Sequence, residues 1–361
     1  MKSVITVIIF LLVIGSIIII HELGHFIAAK YFGVYCHQFS IGFGPKIWSY
    51  QGRETQYELR LLPFGGFVSM AGEEDQSDNE NLKDIPFERT LKGAKTYQKV
   101  IIFLAGIFMN FVLTLVILFG MNLTVGRIPV QVAQIGDIVS ESAADKYGLE
   151  VNDVIKEITV EETGQTFPIS SFQDIQLNQN KIKEDLPYVT LIITVERNEQ
   201  NHTVKLVSQF NEETQSYQLG VIQASTPMNF VDSVRYTFIG FYRMSTSIFT
   251  SLGLLMTNFK ETVTQLSGPV GIYSITKEVT QTGQIANVFR LIALLSVNIG
   301  IFNLLPIPGL DGCQVLFALA EKIIGREIPE NFKITLQLIG FGLVIFLMLF
   351  VTYQDIIRLL N

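Results

Sequence analysis

The sequence predicts an α-helical multi-pass membrane protein with four transmembrane helices, a cytoplasmic membrane-associated β-region and a small extracytoplasmic α+β domain. Three observations carry this. Of 361 residues, 48% are hydrophobic and only 16% charged, whereas a soluble domain carries about 25% charge; the mean hydropathy is +0.38. Four stretches meet the requirement of about 20 apolar residues for a bilayer core: Ser3–Ala29, Val100–Gly126, Leu291–Leu310 and Ile334–Gln354. The last three are uncharged. Between the second and third stretches, short runs alternate apolar and polar residues as half-buried strands do.

Span one (1–29) begins like a signal peptide, with Lys2 before a long apolar run. It lacks a small-residue cleavage site and runs straight into His21-Glu-Leu-Gly-His25, so it reads as retained. On a helix, two histidines four apart share one face and can both ligate Zn2+. Glu22 between them is placed to act as a general base toward an attacking water.

Residues 30–99 hold Lys30, Lys46, Arg53, Arg60, Lys83, Arg89, Lys92, Lys95 and Lys99, whereas the far end of span two (100–126) has only Arg127. By the positive-inside rule this loop is cytoplasmic, which puts the N- and C-termini outside. Lys322, Arg326 and Lys333, between spans three (288–312) and four (334–354), agree with that orientation; Lys2 and Arg358 oppose it weakly. Within the loop, Thr55–Leu61 and Gly66–Met70 alternate between glycine-rich turns and read as a membrane-dipping sheet.

His21 lies about 26 Å along span one from Val4, near the inner end of the hydrocarbon core. One outward crossing separates spans one and three, so they run parallel. Asp311 follows about 20 uncharged residues of span three and reaches the same depth. An ionisable residue there is costly and by default functional. His21, His25 and Asp311 can therefore converge; a turn or capping role for Asp311 after Pro308-Gly309 is the rival.

In residues 128–225, Val130–Ile135, Asp153–Ile158, Val189–Val195 and Thr203–Val207 read as strands, and Ser142–Leu149 as a short helix closed by Gly148. That order resembles a PDZ domain, a fold that binds extended peptides by strand addition. Residues 229–285 read as an amphipathic helix on the outer surface, followed by a connector.

The whole chain resembles the site-2 protease family of intramembrane zinc metalloproteases, in particular the bacterial regulator-of-sigma-E protease group in a form with one PDZ domain. His21–His25 and Asn303-Leu-Leu-Pro-Ile-Pro-Gly-Leu-Asp311-Gly312 carry the likeness. Phe39–Pro45, Leu62–Val68, Asn110-Phe111 and Ser267–Ile272 support it. The resemblance implies that His21, His25 and Asp311 ligate zinc and that Glu22 is the catalytic base. It gives Asn303 a substrate-backbone role, although an interhelical hydrogen bond fits that residue nearly as well. It also makes the β-region around Gly65, Gly66 and Phe67 a substrate-binding element; a purely structural hairpin fits equally. Two positions depart from the family pattern: Ile107 replaces a proline, and Cys313 replaces a second glycine. A Cys313 thiolate could in principle bind metal, but the position reads as small and buried. Cys36, His37 and His202 have no metal partner in sequence.

The implied activity is zinc-dependent endoproteolysis of single-pass membrane proteins already trimmed by a site-1 protease, in a bacterial cytoplasmic membrane. Anti-sigma factors and remnant signal peptides are the implied substrates. The partners are those substrates and the lipid bilayer. A net charge of −7 gives no footprint for nucleic acid. An inactive adaptor would usually lack the base or a ligand, and a transporter needs neither Glu22 nor an external peptide-binding domain.

Overall fold

The computed structural model describes residues 2–72, 85–179, 187–211, 216–258, 263 and 266–360; Lys83 lies outside the described residues. The chain divides into two compact units, residues 1–121 with 234–361, and residues 122–233.

In the first unit, four helices are long and apolar enough to cross a membrane: α1 (Lys2–Tyr31), α2 (Thr96–Val125), α7 (Ile285–Leu304) and α9 (Glu330–Leu360). Their outer faces are apolar yet exposed, as at Leu12, Phe108, Leu338, Phe341 and Phe346. Water would penalise such continuous patches; lipid does not. Close contacts fix the helix directions. Along α2, Ile102 meets His25 and Asn110 meets His21. On its other side Thr114 bonds the Ala293 carbonyl and the Ser296 hydroxyl bonds the Asn110 carbonyl. Both α1 and α7 are therefore antiparallel to α2 and parallel to each other. Gly24 makes the α1–α2 approach possible, because a Cβ there would stand 2.3 Å from the Ala105 carbonyl oxygen.

Between α1 and α2, β1 (Cys36–Gln51) and β2 (Gln56–Met70) form one folded antiparallel hairpin. Residues 38–41 pair with 56–59 on one side and 66–69 on the other. Phe39, Val68 and Met70 pack on Ala28, Ala29 and Ile102, which ties the sheet to the ends of α1 and α2. The opposite end of the hairpin exposes Phe43, Ile47, Trp48, Tyr50, Leu61 and Leu62. Glu58 is buried beneath it, paired with Lys46 and Arg60 at 2.7 and 2.8 Å.

Helix α5 (Phe230–Thr257) has a different setting from the expected surface helix. Phe241, Met244, Ile248 and Leu252 pack beside Phe111, Val297 and Ile301, so α5 runs down the flank of the bundle. A helix lying across the outer face would meet only the ends of α2 and α7. Helix α6 (Pro269–Gln281) is fixed at its start by Asp355 of α9, whose Oδ2 accepts from the backbone of Gly268 and Gly271 at 2.8 and 2.7 Å. Its Thr280 meets Thr6 near the start of α1.

Span three is not one helix through residue 312. Helix α7 ends at Leu304, ahead of Pro306 and Pro308, and a new helix, α8 (Asp311–Ile324), starts at the aspartate. Proline denies the backbone its donors, and Gly309 at φ +93° turns the chain. Gly312 permits close packing, since a Cβ would lie 2.4 Å from the Leu304 carbonyl oxygen.

In the second unit, a five-stranded sheet is flanked by two short helices, α3 (Ala143–Lys146) and α4 (Phe172–Gln179). Its strands are β3 (Val154–Val160), β4 (Gln165–Pro168), β5 (Tyr188–Arg197), β6 (Gln200–Asn211) and β7 (Ser216–Tyr217), in the order β4-β3-β5-β6-β7. Ile135, Ile155, Ile193, Val195 and Leu206 fill the core. Ser142 caps α3, as its place before Ala143 suggests. The expected strand at Val130–Ile135 instead begins at Ile135, because Gln134 makes only an isolated bridge to Val154.

Candidate active site

His21, Glu22 and His25 occupy the C-terminal half of α1, and Asp311 opens α8. The Nε2 atoms of the two histidines lie 3.2 Å apart. Asp311 Oδ2 stands 3.2 Å from one and 3.3 Å from the other. Both histidines are buried, and Asp311 Oδ2, itself shielded from solvent, makes no well-formed hydrogen bond.

Three electron-rich atoms packed this closely need a shared cation or proton. For tetrahedral zinc with bonds of about 2.0–2.1 Å, neighbouring ligand atoms stand about 3.3 Å apart. The observed triangle matches that spacing, so the donor set fits the metal. Three protein ligands also leave the fourth position open, as catalytic zinc requires. Among the described residues this is the one cluster of its kind; Cys313 is buried nearby but does not join it.

The face of α2 is shaped to these rings over three turns. The Ile102 carbonyl oxygen lies 2.8 Å from His25 Nδ1 and fixes that ring. Gly106 leaves room for both imidazoles, since a Cβ there would stand 2.4 Å from His25 Nε2. Asn110 meets His21 Nδ1 at 3.2 Å. Of these three, the sequence drew attention only to Asn110, as part of a family motif. The available signal was a glycine and an amide one turn apart in an apolar span.

The site opens into a cavity of about 760 Å³ that is lined by Glu22, Phe67, Gln314 and Lys99 among others. Lys333 and Glu321, both in its lining, pair at 2.7 Å. Burial pushes the Glu321 carboxyl up, but Lys333, the Ile328 backbone N–H and the charge of Lys99 together hold the group below its ordinary range. Strand residues 66–69 pass beside Glu22: a Cβ on Gly66 would lie 3.3 Å from Glu22 Cγ. Their other edge carries no strand among the described residues. Gly65, at φ +102°, gives up its side-chain space to Phe43, whose ring stacks on Phe67. Asn303 is half-buried in the last turn of α7 and is not part of the cavity wall.

Residues 9–347 match peptidase family M50. The regulator of sigma-W protease RasP of Bacillus subtilis is 31% identical, over 98% of this chain and 99% of its own. The zinc metalloprotease RasP of Bacillus licheniformis is likewise 31% identical, over 98% and 99%. A Clostridium perfringens protein named provisionally as a zinc metalloprotease is 32% identical, over 96% and 97%. With a buried cluster whose spacing fits zinc and a family match along nearly its whole length, the chain belongs to peptidase family M50, the site-2 protease family, and is a zinc metalloprotease with four helices long and apolar enough to cross a membrane.

Proposed function

We propose that the protein cleaves transmembrane segments of single-pass membrane proteins, as a step of regulated intramembrane proteolysis after a first cut outside. The observation that carries this reading is the convergence of His21, His25 and Asp311, with Glu22 alongside, within a bundle of membrane-length helices. In this reading the two histidines and the aspartate hold the metal. Bound zinc supplies Lewis acidity to the scissile carbonyl and the attacking water. Glu22 takes a proton from that water as its oxygen bonds to the carbonyl carbon. It then delivers the proton to the amide nitrogen as the C–N bond breaks.

Hydrolysis needs the substrate helix unwound. The edge of residues 66–68 away from its paired strand, next to Glu22, can receive an extended chain by main-chain bonds, as other sheet edges do. Gly66 keeps the strand close to the base, Gly65 makes room for the Phe43 ring, and Phe67 contributes to the wall. Asn303 has no part in this reading. The exposed aromatic end of the hairpin, Phe43, Trp48 and Tyr50, suits the membrane interface.

Lys30, Arg89, Lys92, Lys95 and Lys99 lie at the metal-site end of the chain's spans, which supports a cytoplasmic setting for that end and extracytoplasmic termini in a bacterial cell membrane. Residues 128–225, within the unit of residues 122–233, are read as an extracytoplasmic PDZ domain that filters or tethers trimmed substrates. The name of the Bacillus subtilis relative favours a membrane-bound anti-sigma factor as the substrate class.

Glu22→Gln tests the assignment. The isosteric amide should keep the fold and the zinc, while turnover of a purified single-pass substrate falls about 10²–10⁴-fold. Near-normal turnover would contradict the role of Glu22.

A further inference from the structure

Asn110 sits midway along α2 with none of its surface exposed. Its Oδ1 has no hydrogen-bond partner, while its Nδ2 faces His21 Nδ1 at 3.2 Å. In that orientation the amide N–H donates to a bare Nδ1, which forces the ring proton onto Nε2. Yet Nε2 is the atom His21 contributes to the triangle, and a ligating nitrogen must offer a lone pair.

The two ends of a carboxamide have nearly the same shape, so a half-turn exchanges them without moving anything else. Oδ1 then accepts from Nδ1–H of His21, and Nε2 is free. The exchange leaves an unpaired NH2 where the oxygen was, and zinc binding outweighs that loss. The other ring already follows this pattern. His25 Nδ1 faces the Ile102 carbonyl, which can only accept, so its proton is on Nδ1 and its Nε2 is bare. The Asn110 backbone is itself held, because its carbonyl accepts from the Ser296 and Thr114 hydroxyls at 2.9 and 3.1 Å.

We infer that Asn110 is a positioning residue: its carboxamide oxygen locks His21 in the Nδ1–H tautomer and aims Nε2 at the metal. The inference rests on the proposed ligand set and deepens it.

The test is zinc affinity of the purified apoprotein, read by competition with a chromophoric chelator, for the wild type, Asn110→Leu, Asn110→Asp and His21→Ala. Asn110→Leu keeps the volume but removes the acceptor, and affinity should fall about 10–100-fold. Asn110→Asp offers an oxygen whichever way it turns and should bind within about threefold of wild type. Nitrogen-15 NMR of the zinc-loaded wild type should place the His21 proton on Nδ1. Undiminished affinity in Asn110→Leu, equal weakening by Leu and Asp, or a proton on Nε2 would each overturn the inference. Should Asn110→Leu fail to fold, the Asp variant and the NMR signal still decide. His21→Ala separates the two layers: if it binds zinc as the wild type does, the ligand set itself is wrong.

Discussion

Gly106→Ala isolates the packing of the metal site in a single methyl group. The added Cβ would lie 2.4 Å from His25 Nε2 and 2.9 Å from His21 Cε1. Ordinary contacts begin near 3.4 Å, so the rings must retreat by roughly 1 Å, whereas a metal site tolerates about 0.2 Å in its ligand distances. Overpacking of this kind costs about 1–3 kcal/mol, which corresponds to about a 5- to 150-fold loss of zinc affinity if the strain falls on the bound state. Helix propensity works the other way, since alanine is better than glycine by about 1 kcal/mol. Gly120→Ala on the same helix is the control, because a Cβ there meets nothing within 4 Å. The assay is zinc titration of both apoproteins, alongside thermal unfolding of the metal-free forms. The account expects Gly106→Ala to bind weakly and Gly120→Ala to match the wild type. Equal affinities in the two variants would refute the claim that α2 shapes the site.

Two further outcomes follow from other parts of the chain. Burial pushes the Glu58 carboxyl up, but Lys46 and Arg60 outweigh it and hold the group below its ordinary value near 4.5. A depressed carboxylate stabilises the fold fully above that ordinary value and loses the contribution as pH falls through its folded value. Trp48, the single tryptophan, lies in the strand paired with the Glu58 strand. Its emission should hold from pH 7 to about 5 and shift under stronger acid; Glu58→Gln should abolish that transition, and its persistence would assign it elsewhere. Deleting residues 128–225 with a bridging linker should leave a protease that cuts untrimmed substrate more readily, measured as the ratio of full-length to trimmed cleavage. An unchanged ratio would remove the gating role of that unit.

The sequence revealed most where chemistry concentrates in few residue types. A chain with four histidines, two of them four apart at the end of an apolar run, announces its own candidate ligands. Asp311 was legible because equal helix lengths and one intervening crossing put it at the depth of His21, and the structure brings the two within 3.2 Å. The helix break before it was signalled by Pro306 and Pro308, although the span boundary at residue 312 ran past it. The partners on α2 were not legible as partners. Gly106 and the Ile102 carbonyl act through absence and through backbone, which composition does not display. The setting of α5 was missed because a helix with an interrupted apolar face fits a bilayer surface and a helix flank equally well. Val130–Gln134 alternates like a strand, yet alternation alone cannot supply a continuous partner strand, and only an isolated bridge from Gln134 to Val154 forms.

The central claim is that one zinc site inside the membrane cuts a transmembrane segment, with Glu22 moving the proton. The most direct measurement reconstitutes the wild-type protein in lipid with a single-pass substrate and maps the cleaved bond by mass spectrometry. The account predicts a cut within the hydrophobic segment, toward the end nearer the cytoplasm, with no product when zinc is chelated. A cut confined to the soluble flanks, or cleavage that survives removal of the metal, would contradict it.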